Sequence, residues 1–361
     1  MQRLLQFILF VCSFSLSQVN SLEQKQFYAF DSPPYLSPTS SPTTSVIVNW
    51  NTKRMEPSAI TLGISPSLED TIFVNDKTNY HHVILNNLIP GTEYYYKILP
   101  YGVVRQFRTF PISTDSFNFI VVGDTRSDSA SHHAVVDRMQ DYKFEFLVHT
   151  GDFVSSGYDP DDWKTFFDIE SKVLSEKMFL PVIGNHEKPF WQYDTLFVLP
   201  GVEDFYAVRY ANVHIICLNT EMELTGFQKK WLINELNFAS TDTTIDWIFI
   251  SLHRPPYSSG SHGSNLKVRD AWCPIFEKYG VDIVFCGHDH SYERTKEING
   301  VIYIVCAGGG APLYNVGKSD WTEHSEKTHH FCFVSVKKRN LKLQAIRPDG
   351  IVFDSLVLKK Q

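Results

Sequence analysis

The sequence predicts a layered α/β (α+β) protein, a β-sandwich flanked by helices, with an all-β domain in front of it. Two observations predict this fold. Residues 45–110 consist of short strand-like runs separated by turns, and after Pro111 near-continuous apolar strands alternate with helical patterns. Apolar strands without polar interruptions are typical of sheets covered on both faces. With 361 residues, the chain is long enough for about two domains.

Composition excludes several classes of protein. Hydrophobic residues make up 43% of the chain and charged residues 20%. This is the composition of an ordinary globular protein, and it excludes a disordered chain, a collagen-like fibre and a multi-span membrane protein. The formal net charge is −7 and there is no long basic run, so we do not expect nucleic acid as the main partner.

Residues 1–21 have the pattern of a signal peptide, with a signal anchor as the alternative. A basic start precedes the apolar run of residues 4–17, which is too short for a membrane span of about 20 apolar residues. We therefore expect a secreted or periplasmic protein. One of the six cysteines lies in this segment. The others are odd in number and lie in apolar or helical patterns, so we expect buried free thiols: Cys217, Cys273, Cys286, Cys306 and Cys332.

The expected domains are an all-β domain at residues 22–112 and the layered α/β domain at residues 113–361. Buried strands of the second domain are predicted at residues 117–122, 144–149, 178–183, 213–218, 247–252, 282–286 and 301–306. Helical periodicity predicts helices at residues 130–141, 161–174, 226–238 and 267–279. Residues 331–361 return to strands.

Five of the predicted buried strands are followed by side chains that can bind a metal ion. Because ligands of open α/β sheets bind beyond the carboxyl ends of the strands, we expect these side chains to converge. A preceding glycine lets the chain turn off the strand and brings its backbone close to the site. The candidate metal ligands are Asp124, Asp152, Asn185, His253, His288 and His290.

The chemistry of these candidate ligands narrows the choice of metal ion. Two carboxylates, one amide and three imidazoles offer oxygen and nitrogen but no thiolate, which suits Fe, Zn or Mn. Six ligands are more than one tetrahedral ion takes, whereas two ions that share a bridging carboxylate would use all of them. Two-metal sites stabilise both the attacking and the leaving oxygen of a displacement at phosphorus.

The order of the motifs carries a family resemblance. Gly-Asp stands at residues 123–124 and 151–152, Gly-Asn-His-Glu at 184–187, a lone histidine at 253, and Gly-His-Asp-His, followed by Tyr-Glu-Arg, at 287–294. This order resembles the calcineurin-like metallophosphoesterase superfamily, and within it the purple acid phosphatase-like proteins. The resemblance implies two metal ions that share a bridging Asp152. It implies one ion held by Asp124, Asp152 and His290, and a second held by Asp152, Asn185, His253 and His288.

The N-terminal domain carries a second resemblance. Residues 88–96, LIPGTEYYY, resemble the turn and following strand of fibronectin type III domains, in which a tyrosine locks the corner. We therefore expect an immunoglobulin- or fibronectin III-like domain, which purple acid phosphatase-like proteins also carry.

Two positions depart from the family pattern. Purple acid phosphatases have a tyrosine three residues after the bridging aspartate, where this chain has Ser155, so we expect a colourless protein. Many non-purple relatives have a histidine two residues after the first aspartate, where this chain has Arg126. A guanidinium there can bind phosphate through two hydrogen bonds, and a structural ion pair is the alternative.

Two histidines are candidates for the general acid that protonates the leaving group. His186 adjoins the candidate ligand Asn185, and His262 lies in a Ser/Gly-rich loop that can fold over the pocket. Tyr257 is a candidate for the pocket wall and for substrate binding, with core packing as the alternative.

The sequence favours a secreted dinuclear-metal phosphatase that hydrolyses phosphate monoesters through a metal-activated water. A phosphodiesterase on the same centre is the first alternative, because the ligands alone do not select the leaving group. A non-catalytic binding module that uses the β-domain is the second. The expected partner is a small phosphate ester.

Overall fold

The computed structural model describes residues 31–100, 102–202 and 205–361. The expected signal peptide lies outside the described residues. The strands are β1 (Tyr35–Pro38), β2 (Val46–Gly63), β3 (Asp70–Leu85), β4 (Glu93–Ile98), β5 (Arg105–Arg108), β6 (Ser116–Val122), β7 (Phe146–His149), β8 (Met178–Pro181), β9 (Gly201–Val202), β10 (Phe205–Tyr210), β11 (Val213–Leu218), β12 (Trp247–Leu252), β13 (Ile283–Cys286), β14 (Tyr292–Thr295), β15 (Ile302–Cys306), β16 (Thr322–Glu326), β17 (Phe331–Lys337), β18 (Asn340–Ile346) and β19 (Val352–Lys359). The α-helices are α1 (Ser129–Met139), α2 (Pro160–Leu174), α3 (Trp191–Leu196), α4 (Gly226–Thr241) and α5 (Leu266–Tyr279), and a short 3₁₀-helix spans Asn185–Glu187.

Local signals set where the long helices begin and end. The side chains of Asp128, Asp159 and Asn265 accept hydrogen bonds from the first turns of α1, α2 and α5. Helix α5 ends at Gly280, whose φ of 69° is left-handed and favours glycine. The four predicted helices are therefore present, with ends within a few residues of the prediction, whereas the short α3 was not predicted.

The strands form two sheets. The first has the order β19-β18-β17-β6-β7-β8-β1-β2-β4-β5, with β3 paired to β2. The second has the order β16-β14-β15-β13-β12-β11-β10-β9. Strands β6, β7 and β8 are parallel in the first sheet, and β11, β12, β13 and β15 are parallel in the second. The predicted ligands therefore follow the carboxyl ends of parallel strands in both sheets.

Three apolar clusters define four layers. The largest lies between the two sheets, where the ring of Phe119 on β6 is 5.7 Å from Phe249 on β12. A second cluster joins the outer face of the first sheet to α1 and α2, and a third joins the second sheet to α4 and α5. The order of layers is helix, sheet, sheet, helix, in agreement with the predicted layered α/β sandwich.

The N-terminal strands are continuous with the first sheet. Strand β1 pairs in parallel with β8 at Leu36 and Met178, and antiparallel with β2. The hydroxyl of Tyr94 accepts a hydrogen bond from the N–H of Ile89 at 2.9 Å, which closes the turn that the sequence predicted. The pairing of β1 with β8 could not be predicted from the sequence, because a four-residue strand carries no signal for a partner strand about 140 residues away. The boundary at residue 112 stays a prediction.

Two further features of the described residues concern the cysteines and the helices. Cys217, Cys273, Cys286, Cys306 and Cys332 are all buried with free thiols, as the sequence predicted. Within the described ranges, the helices are too short or too polar to cross a membrane.

Candidate metal centre

The six predicted ligands are brought together where the two sheets meet. Three of them have left-handed backbone: φ is 58° at both Asp124 and Asp152, and 73° at His288. Non-glycine residues rarely adopt this conformation and it costs free energy, so the surrounding contacts must hold it. The reversal of direction after β6, β7 and β13 aims these side chains inward.

Two glycines allow the loops to approach each other. A Cβ atom on Gly151 would lie 2.8 Å from Nδ1 of His253, and φ at Gly151 is 96°. A Cβ atom on Gly287 would lie 2.7 Å from Oδ2 of Asp124. Any other residue at either position would push a ligand-bearing loop away.

The ligand atoms form two groups that share Asp152. Potential ligand atoms of Asp124, Asp152 and His290 all lie within 4.8 Å of one another, as do those of Asp152, His253 and His288. Asn185 joins the second group, since its Oδ1 is 3.2 Å from Nε2 of His253. Asp152 therefore belongs to both groups, and its role as the bridging ligand, which the resemblance implies, stays a prediction.

Backbone carbonyls orient two of the imidazoles. Nδ1 of His253 lies 2.9 Å from the carbonyl oxygen of Thr150, and Nδ1 of His290 lies 2.8 Å from that of Pro312. Donation from Nδ1 leaves Nε2 with its lone pair facing the centre. Each Nε2 also approaches a carboxylate, at 3.3 Å from Asp152 for His253 and 3.4 Å from Asp124 for His290.

The surroundings of the buried Asp152 favour its ionised form. Burial, the largest single cause, raises the pKa of its carboxyl, whereas His253 and His186 lower that pKa. The N–H of His186, which donates to Oδ1 at 3.0 Å, and the Arg126 guanidinium act in the same direction. The net result is a pKa below the usual value of an aspartate, so Asp152 is available as an anionic ligand.

Glu187, the last residue of the Gly-Asn-His-Glu motif, joins two of the loops. Its buried carboxylate accepts hydrogen bonds from the N–H groups of Asp152 at 3.1 Å, Phe153 at 2.8 Å and Gly184 at 2.6 Å. Burial and the nearby Asp152 charge nevertheless raise its pKa well above the usual value. Glu187 fixes the backbone on which the bridging carboxylate stands.

Arg126 and His186 both lie against Asp152. Nε of Arg126 is 3.5 Å from Oδ2 of Asp152, and its Nη2 is 3.3 Å from Nε2 of His290. Nδ1 of His186 is 2.8 Å from the carbonyl oxygen of Ser155, which leaves Nε2 3.9 Å from Oδ2 of Asp152. Both side chains predicted to take part in catalysis therefore face the ligand groups.

His262 lies over the centre on a loop that Asp289 holds. Its ring stacks on that of His288 with a centroid distance of 4.4 Å. The buried Asp289 carboxylate accepts hydrogen bonds from the N–H of His262 at 3.0 Å, the N–H of Gly263 at 3.1 Å and the hydroxyl of Ser258 at 2.5 Å. The third residue of the Gly-His-Asp-His motif thus holds the loop that carries His262.

Tyr257 has a different environment. Its ring is 4.6 Å from that of Tyr303 and 5.5 Å from that of Trp321, and the Arg269 guanidinium lies 4.0 Å above it. Tyr303 belongs to the apolar cluster that joins the second sheet to α4 and α5, and Tyr257 packs against it. The core-packing alternative fits this placement better than substrate binding does.

Sequence reasoning gave no role to three residues that touch the ligands or their neighbours. Arg254 lies 3.1 Å from Nε2 of His288 through Nη1, and its Nε and Nη2 are paired with Glu221 at 2.5 and 2.9 Å. Tyr314 stacks on His290 with a centroid distance of 4.1 Å. A signal existed for Glu221, which follows the end of the predicted strand 213–218 as closely as the candidate ligands follow theirs, whereas Tyr314 lies farther along the loop after strand 301–306.

The donor set fits a pair of metal ions. Carboxylate oxygens and imidazole nitrogens lie within 4.8 Å of one another in each of two groups, an amide oxygen adjoins the second group, and one carboxylate belongs to both. Mixed oxygen and nitrogen donors suit Zn, Fe or Mn, and do not select among them.

Comparison with known families covers most of the described chain. Residues 117–292 match the family model described as "Calcineurin-like phosphoesterase". Residues 32–119 match "Purple acid Phosphatase, N-terminal domain". The yellow lupin purple acid phosphatase PPD1 superposes with a TM-score of 0.78 at 19% identity, covering 91% of this chain and 74% of the lupin chain. The predicted fold class is confirmed by this likeness.

Two curated relatives are similar in sequence to most of this chain. A "Phosphoenolpyruvate phosphatase" of Allium cepa is 28% identical over 315 residues, which are 74% of this chain and 64% of the relative. An uncharacterized protein of Mycobacterium tuberculosis is 24% identical over 326 residues, with 72% of this chain and 61% of the relative covered. The chain thus spans less than two thirds of the length of both relatives.

Replacing the shared carboxylate should remove metal from both groups. We expect Asp152→Ala, after loading with Mn²⁺ and dialysis, to retain less than about a tenth of the metal that the wild-type protein retains, since each group loses an anionic ligand. Metal per chain is measured by inductively coupled plasma mass spectrometry. Asp137→Ala, which removes an exposed carboxylate from α1, is the control and should bind as the wild type does. Equal metal retention in Asp152→Ala would contradict the shared position.

Proposed function

Because the chain belongs to the calcineurin-like metallophosphoesterase superfamily, we propose that it is a dinuclear-metal phosphatase that hydrolyses phosphate monoesters outside the cytoplasm. The observation that carries the proposal is the pair of ligand groups sharing Asp152. Cationic and proton-holding side chains surround this pair, as hydrolysis of an anionic ester requires.

Metal ions held by these groups would activate a water for attack on phosphorus and neutralise charge on the phosphoryl oxygens. Asp152 and Asp124 supply the anionic ligands. His253 and His290 are held by the backbone carbonyls of Thr150 and Pro312, so their rings need no reorientation on binding. Arg126, at the edge of the centre, is proposed to bind a phosphate oxygen through its guanidinium.

His186 is the better supported general acid. Its Nδ1 is engaged by the carbonyl of Ser155, so a proton on Nε2 would be held toward the centre. Its side chain is 30% exposed, which lets the proton be restored from water. His262 remains the second candidate, since stacking on His288 holds its ring over the same centre.

A phosphodiesterase is the second candidate function, because there is room for a large leaving group. A cavity of about 700 Å³ borders Arg254, whose guanidinium touches His288. Met222 and Leu224 line it together with Lys229, Lys267, Glu223 and Asp270, so an apolar or polar substituent would find partners there. An extended ester could place its phosphorus at the centre and its second substituent in this cavity.

The proposed location rests on residues 1–21. Their basic start and apolar run are those of a signal peptide. Free extracytoplasmic phosphate esters are the substrates that such a protein would meet.

The decisive experiment compares two substrates on metal-loaded protein. We expect p-nitrophenyl phosphate to be hydrolysed with a kcat/KM at least about tenfold above that of bis-p-nitrophenyl phosphate, and Asp152→Ala to lose activity on both. The reverse preference would favour the diesterase. Failure to bind metal together with absence of turnover would favour a binding module and would overturn the proposal.

The fall in kcat that follows removal of the general acid should depend on the leaving group of the substrate. We expect His186→Ala to lower kcat about 10²- to 10⁴-fold on an alkyl phosphate such as glycerol phosphate, because an alkoxide needs a proton to leave. The loss on p-nitrophenyl phosphate should be much smaller, since nitrophenolate leaves unprotonated. Metal content should not change, and His133→Ala on the surface of α1 is the control. If His262→Ala shows this pattern and His186→Ala does not, the two assignments exchange.

Asp289 should act through His262 as a positioning residue. We expect Asp289→Asn to lower kcat several-fold, because an amide cannot accept all three hydrogen bonds that the carboxylate accepts. In a double-mutant cycle, Asp289→Asn should add less than about twofold to the effect of His262→Ala. Independent, multiplicative losses would show that Asp289 supports the fold without positioning His262.

A further inference from the structure

We propose that the two ligand groups load unequally, because the Arg126 guanidinium occupies the metal position of the group formed by Asp124, Asp152 and His290. An ion would bind there only after Arg126 withdraws, whereas the other group binds its ion with Arg126 in place. This inference rests on the proposed metal centre and describes how that centre fills.

Arg126 touches ligand atoms that an ion in this group would need. Its Nη2 lies 3.3 Å from Nε2 of His290, the nitrogen left for a metal because Nδ1 faces the carbonyl of Pro312. Its Nε lies 3.5 Å from Oδ2 of Asp152. One guanidinium therefore spans two of the three ligands in this group, and an N–H aimed at Nε2 uses the lone pair that an ion would need.

The charge of Arg126 also opposes binding of an ion at this position. A guanidinium keeps its proton in proteins, so Arg126 cannot become neutral when an ion arrives. Two like charges sharing two donors repel each other strongly at short range in a buried site. Binding of an ion and this position of Arg126 are therefore mutually exclusive.

The second ligand group is different. Oδ1 of Asp152, which faces it, is approached by Nε2 of His253 at 3.3 Å and by the N–H of His186. Its neighbouring arginine, Arg254, also places Nη1 3.1 Å from an imidazole Nε2, that of His288, but within the described chain it forms no ion pair with a carboxylate ligand, and its charge is paired with Glu221. An ion in this group meets an arginine whose charge Glu221 already neutralises, whereas the charge of Arg126 is directed at the ligands themselves.

Arg126 has the means to withdraw. Its Nε is buried without a hydrogen-bond partner, and Nη1 is held only by the hydroxyl of Ser127 at 3.0 Å. A cavity of about 160 Å³ beside it is lined by Ser127, Ser155 and Asp162. Burial raises the pKa of Asp162, so a guanidinium entering this cavity would stabilise the ionised carboxylate. The side chain thus has a second place to reside.

Metal titration of the whole chain tests the inference. Chelator-treated protein is equilibrated with increasing free Mn²⁺, bound ions are counted by mass spectrometry, and electron paramagnetic resonance reports coupled Mn²⁺ pairs. In the wild type we expect one ion per chain first, and a second, with the coupled signal, only at about ten- to a hundredfold higher free Mn²⁺. In Arg126→His and Arg126→Gln the two steps should merge to within about threefold.

Arg254→Gln is the matched control, since it removes an arginine from the other group and should keep the two steps apart. Equal affinities in the wild type, or two steps that stay apart in both Arg126 variants, would overturn this inference while leaving the proposed phosphatase intact. Absence of bound Mn²⁺ in every folded variant, judged by circular dichroism, would overturn the proposed metal centre and this inference with it.

Discussion

The buried Asp152 carboxylate is the group on which the rest of the site depends. Burying a charge is costly unless hydrogen bonds and opposite charges compensate for it. Here the compensation comes from His253, the backbone of His186 and the Arg126 guanidinium, which reach Asp152 from three other loops. Satisfying this one carboxylate therefore fixes the relative positions of segments far apart in the sequence.

The two-sheet architecture makes this convergence possible. Parallel strands present their carboxyl ends at one edge of each sheet, and the aromatic core between the sheets, which includes Phe119 and Phe249, holds both edges side by side. The left-handed backbone at Asp124, Asp152 and His288 is then maintained by the packing of the loops. The packed layers set where the candidate ligands lie, and the left-handed loop residues set the direction in which their side chains point.

Sequence reasoning was most successful where local rules apply. Strand ends and their glycines indicated six candidate ligands that the fold brings together, because chain reversal after a buried strand is a local event. Loop contacts between distant segments escaped it: nothing near Asp289 indicates that it accepts the N–H of His262. Tyr257 and Tyr314 also show this limit of prediction from sequence. Both lie in loops that follow strands, yet the ring of Tyr257 packs against Trp321 and the ring of Tyr314 stacks on His290. The direction of a loop side chain is set by tertiary partners, which periodicity does not reveal.

Arg126 shows how charge balance links the steps of such a site. Two adjacent buried carboxylates, Asp124 and Asp152, require positive charge, and the guanidinium supplies it when no ion stands in their group. An ion bound there would supply more than one charge and release the guanidinium. The released guanidinium could be balanced by Asp162 or by the anionic phosphate of a substrate. Metal loading, arginine withdrawal and phosphate binding would then favour one another through a single balance of charge, with no movement of the strands.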